Sequence, residues 1–224
     1  MHVVTLDGCG ASMMASEGRM GHVLQQLGLK AATMLALGAL TLGCARMVTI
    51  DYEPTNPWKG KGTLTVLPFR YEAADARRVR PREVESNRAA RTELFLSQEV
   101  SSFFTDALRR ELVHTGYRIG ESSPLTVSGS ITRFYVDWTN DADRWFELQA
   151  TYLVQSGERT ALTWNCSSLQ KGPNTLAQDS LLIRRGTADC MRRFIQASQE
   201  AGVLEMESAV PDKMVTPPEV YGPQ

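Results

Sequence analysis

The chain has 224 residues, 42% of them hydrophobic and 22% charged, and a formal net charge of -1. That balance is ordinary for a globular protein with a core of its own. It excludes the basic footprint of a nucleic-acid binder, and no apolar run reaches the roughly 20 residues that a membrane-spanning helix needs.

Residues Met1 to Arg19 include Asp7 and Glu17, acids at odds with the positive start of a signal peptide. A start at Met20 repairs this, giving MGHVLQQLGLK and then an uncharged apolar run from Ala31 to Leu42. Residues 1–19 therefore read as a gene-start artefact. The run is too short to span a bilayer but suits a signal-peptide core, and it closes on Gly43 and Cys44. The ending LTLGC resembles the lipobox of bacterial lipoproteins, with Thr41 where leucine is usual. The resemblance implies a leader, 1–43, cut after Gly43, and an acylated Cys44 as the first mature residue. Ala45, which is not the aspartate that retains such proteins in the inner membrane, implies the outer membrane with the domain facing the periplasm.

Residues 44–62 hold Pro54, Pro57, Gly60 and Gly62 among polar residues and read as a flexible tether behind the lipidated cysteine. TLTVLPF, from Thr63 to Phe69, predicts a strand ended by Pro68. Tyr71 to Glu93 is crowded with arginine and nearly free of apolar residues, so it reads as an exposed, mobile loop whose length suggests a task. Ser97 is placed to cap a helix burying Val100, Phe103, Phe104, Ala107, Leu108 and Leu112, with Asp106, Arg109, Arg110 and Glu111 facing water and Gly116 ending it.

The next stretch predicts an antiparallel meander. Leu125, Val127, Gly129 and Ile131 alternate on one phase and Phe134, Val136 and Trp138 on the other, which requires a bulge near Thr132 and Arg133. A second strand turns Phe146, Leu148, Ala150, Tyr152 and Val154 to one face, and a third does so with Leu162, Trp164 and Cys166. A second helix, from about Thr175 to Ala201, carries Ile183, Thr187, Cys190, Met191, Phe194 and Ile195 on its inner face and stops at Gly202. The domain thus spans 63–202, and the proline-rich 203–224 reads as a disordered tail.

ALRRELVHTGYRI followed by LTVSGSITRF, after LTVLPF, resembles a group of bacterial envelope lipoproteins. They include the YajG-like lipoproteins, LpoB, CsgG and the amino-terminal domain of TolB. The resemblance implies a single α/β (α+β) domain, similar to anticodon-binding domains, with two helices packed on a mixed, largely antiparallel sheet. It carries no catalytic motif.

Of 3 histidines only His114 falls in the body, so no histidine-based triad or metal cluster is expected, and no cofactor. Asp137, Asn140, Asp141 and Asp143 lack the glycine and closing glutamate of a calcium loop and read as turn acids. Cys166 and Cys190 share the core side of adjacent elements, open to a disulfide or to two buried thiols. Arg77, Arg78, Arg80 and Arg82 are the candidate partner-binding residues, because guanidinium forks match carboxylate and phosphate. The expectation is a non-enzymatic accessory or assembly factor, joined to the membrane by its anchor and to an unidentified envelope protein by its domain, with no nucleic-acid partner. The alternative is a lipid-binding transport auxiliary lipoprotein.

Overall fold

A computed structural model of the chain describes residues 45–87, 93–138, 143–173, 175 and 178–204. The leader and Cys44 lie outside the described residues, as do Asn140, Asp141 and the chain after Leu204.

The frame is the long strand β7, Leu125–Asp137. Along one edge it pairs antiparallel with β8, Asp143–Ser156, which pairs in turn with β9, Arg159–Pro173. Along its other edge three short strands line up end to end, all parallel to it. These are β2 (Thr63–Val66), β3 (Arg70–Tyr71) and β4 (Glu83–Ser86). Strand β6, Arg118–Ile119, adds to β2, while β5, Glu93–Leu96, adds antiparallel to β4. Strand β1, Ala45–Val48, completes the nine-stranded sheet beside β5. The meander is antiparallel as expected, but the short pairings are mostly parallel.

The register of β7 against β8 shifts between Ile131 and Arg133. One extra residue there restores the inward phase, so Ile131 and Phe134 are both fully buried.

Three helices, not two, occur among the described residues. Helix α1, Glu72–Asp75, is a single turn. Helix α2, Val100–His114, lies over β2, β3 and β6, and α3, Gln178–Glu200, lies over β8 and β9. Every apolar position expected to face inward on α2 and α3 is buried. Ser97 does not cap α2: the N-cap position is Glu99, no side chain caps the helix, and the Val100 N–H goes to the Pro81 carbonyl at 3.0 Å. Gly116 and Gly202, at φ +104° and +68°, end the two helices in the left-handed conformation that glycine adopts freely. Between sheet and helices the core is aromatic. Tyr152 stacks on Phe194 with centroids 4.2 Å apart, and Phe134 meets Phe146 edge-on at 5.0 Å.

The expected tether is instead part of the body. Tyr52 and Asn56 are buried, and the Gly60 N–H donates to the Thr115 carbonyl at 2.7 Å. What holds this segment is Glu111, assigned from sequence to the wet face of α2 but wholly buried. Its carboxylate accepts the Tyr52 hydroxyl at 2.5 Å and the N–H groups of Thr55 and Asn56 at 3.0 and 3.2 Å. The described part of the expected mobile loop also folds, since Tyr71, Ala73 and Val84 enter the core. The body extends past residue 202 as well, because Val203 and Leu204 are buried and both bond back to Ser198.

Candidate functional site: the arginine turn and its surroundings

The four arginines stand on the turn from α1 into β4, and all four are exposed. The turn is braced from beneath. Tyr71 reaches across it to donate its hydroxyl to the Glu83 carbonyl at 3.1 Å. Burial, with the charge of Glu85 added, raises the Tyr71 pKa well above its usual range. Glu85 itself is buried, accepts the Phe134 N–H at 3.2 Å and faces the Arg78 guanidinium at 3.6 Å.

Arg80 ties two strands together: it sits 3.2 Å from Glu93 and 3.8 Å from Glu83, with its guanidinium 5.1 Å above the Phe95 ring. Arg82 gives its carbonyl to the Leu96 N–H at 2.8 Å and turns its side chain to solvent. Arg77 follows α1 with φ +56°, the only non-glycine positive φ among the described residues. That conformation costs an L-residue roughly 1–2 kcal/mol, and glycine nothing comparable.

The other sequence-derived candidates are placed as follows. Cys166 and Cys190 are joined in a disulfide with Cα atoms 5.6 Å apart, tying β9 to α3. Arg193 donates to the neighbouring Ser167 carbonyl at 2.8 Å. Of the strand positions Phe134, Val136 and Trp138, the first two are buried in the core and Trp138 packs partly buried against it. No group of three or more potential metal ligands occurs among the described residues. None of the described helices is long and apolar enough to cross a membrane.

Two features escaped the sequence reading. One is an open groove of about 580 Å³ beside the end of α2, lined by Pro54, Arg109, Arg110, Val113, His114 and Ile119. The other is Asp179, wholly buried in the first turn of α3 and paired with Arg46 of β1 at 2.8 Å and with Arg144 of β8 at 2.5 Å. No local signal marks Asp179, because its partners come from distant parts of the chain.

No family model and no curated protein matches this chain. Solved structures do. A Xanthomonas campestris protein of the DUF330 family is 14% identical, and the match covers 70% of this chain and 96% of that one with a TM-score of 0.53. A Chlamydia trachomatis protein matches at 12% identity over 65% and 98% of the two chains, TM-score 0.43. The rare lipoprotein B of Shewanella oneidensis matches at 10% identity over 63% and 96%, TM-score 0.38. The first of these shows a shared fold.

Proposed function

We propose that the protein is a non-catalytic lipoprotein of the bacterial outer membrane, acylated at Cys44, whose periplasmic domain binds an acidic surface of an envelope protein as an accessory or assembly factor. The observation that carries the binding role is Arg77. A left-handed arginine opening a run of four exposed arginines is strain kept where glycine would relieve it. Rigid, charge-assisted contact with carboxylates is what such a turn does well. The lipoprotein reading rests on Gly43 and Cys44, with strand β1 opening one residue later at Ala45.

The test separates folding from binding. Arg77→Gly should fold at least as stably as the parent yet capture less of the crosslinked partner, and replacing all four arginines by alanine should abolish a capture that is itself weakened by salt. Equal capture by a folded quadruple variant would place the site elsewhere. Labelled fatty acid should enter the parent and not Cys44→Ala. The lipid-carrier alternative gains nothing from the sheet–helix interface, which stacked aromatic rings fill.

A further inference from the structure

We infer that the domain does not hang from its anchor but lies flush on the lipid surface, docked through the end of the sheet that carries Trp145, Lys171 and Leu169. The inference rests on acylation of Cys44 and goes on to ask how the body then sits.

Distance alone constrains it. A free tether of 18 residues would let the body stand about 60 Å from the bilayer, whereas neighbouring Cα atoms are only about 3.8 Å apart. Ala45 is already in the sheet, paired with Glu93, and Arg46 is held from inside by Asp179 at 2.8 Å. An acyl chain on residue 44 therefore brings the sheet with it.

The strand register says which end arrives. Glu83 faces Phe95 on β5, and Glu85 faces Tyr135 on β7. Carrying that register across puts Ala45 level with Tyr135, Glu147 and Leu169. Trp145 and Lys171, paired with each other, lie two residues further toward the same end.

The side chains there suit a headgroup layer. Leu169 and Trp145 are 54% and 38% exposed, although each is a large apolar residue. The Lys171 ammonium sits 4.6 Å over the Trp145 ring, so one aromatic body and one cation are presented together. Tryptophan and lysine at an interface place apolar surface among acyl chains and charge among phosphates. Asp137 and Asp143 flank this end, so docking depends on apolar contact more than on anionic lipid, and salt should disturb it little.

The experiment uses full-length protein processed in cells, extracted and reconstituted in phosphatidylcholine vesicles with brominated acyl chains. A fluorophore is placed at Met47→Cys, or at Glu158→Cys in the turn at the opposite end of β8 and β9. Both positions are exposed, so neither label should disturb the fold. Quenching should be several-fold stronger at residue 47 than at 158, and Trp145→Ala with Leu169→Ala should narrow the difference while the protein stays anchored. Equal quenching at 47 and 158 in acylated protein, or a difference that Trp145→Ala with Leu169→Ala leaves unchanged, overturns the docking and leaves the lipoprotein reading standing. Absence of fatty acid on Cys44, read first, removes both.

Discussion

The hydroxyl of Tyr52 donates to the Glu111 carboxylate at 2.5 Å in the interior of the domain. This one bond fastens a segment of prolines and polar residues to the last turn of a helix, and it is reinforced by two backbone donors from Thr55 and Asn56. Removing the carboxylate leaves two buried donors, the Tyr52 hydroxyl and the Asn56 N–H, unpaired at about 1–3 kcal/mol each before relaxation, and frees the part-buried Thr55 N–H. Glu111→Ala should lower stability by roughly 3–5 kcal/mol, and Tyr52→Phe by about 1–2 kcal/mol. Urea unfolding with an unchanged slope would measure both.

The same pair makes the fold sensitive to alkali. Burial, then the hydrogen bond to Glu111 and its charge, raise the Tyr52 pKa far above the ordinary value of about 10. A group with its folded pKa raised contributes fully below the unfolded value, and that contribution is lost as pH rises above it. Burial raises Tyr71 and Tyr152 in the same sense. Stability should therefore fall steadily above about pH 10, and the fall should be shallower in Tyr52→Phe. A pH series of thermal melts would show an unchanged slope if Tyr52 plays no part.

Asp179 should be as costly an ion to remove as Glu111. It is wholly buried between two arginines, and Asp179→Ala leaves Arg144, itself 9% exposed, with a buried charge. The expected loss is about 3–5 kcal/mol. Arg46→Ala should cost less, because Arg46 is partly exposed, but it should raise hydrogen exchange in β1 selectively. Uniform exchange across the sheet would count against a local anchor.

The disulfide closes a sequence separation of 24 residues. Under the chain-entropy model it should contribute roughly 3 kcal/mol, so Cys166→Ser with Cys190→Ser should melt several degrees lower than the oxidised parent. Two free thiols in non-reducing mass spectrometry of protein purified without reductant would cancel this expectation.

Gly60 offers a steric test. A Cβ there would stand 2.2 Å from the ring of Tyr117, which is buried. Gly60→Ala should cost about 1–3 kcal/mol as an overpacked site, measured by denaturant midpoint, whereas a flexible tether would tolerate it without change.

The parts of the fold legible in the sequence are those whose periodicity runs for several turns. The β7 to β9 meander, its phase slip at Thr132 and the buried faces of α2 and α3 all declare themselves through repeated spacing. What stayed hidden is either short or held from afar. Strands β1, β4 and β5 have four residues each, too few for alternation to stand out among charges, although ELFL at 93–96 carried a weak signal. Glu111 and Asp179 were unreadable for a different reason: a charge on a helix reads as solvated until its partners, 59 and 133 residues away, are known. At the arginine turn the residues were visible but their bracing was not, since the Arg80 contacts span two strands that the pattern had dissolved into a loop.

The bond between Arg46 and Asp179 also orders events in time. Ribosomes add about 5–20 residues per second, so with 133 residues between the partners, Arg46 is made roughly 7–27 seconds before the residue that fixes it. Through that interval β1 has no inner lock, and until Glu93–Leu96 is made it lacks its neighbour β5 as well, so the stretch around Arg46 stays open to enzymes. Nascent chains that end before α3 should be cut by trypsin after Arg46, and completed chains should resist.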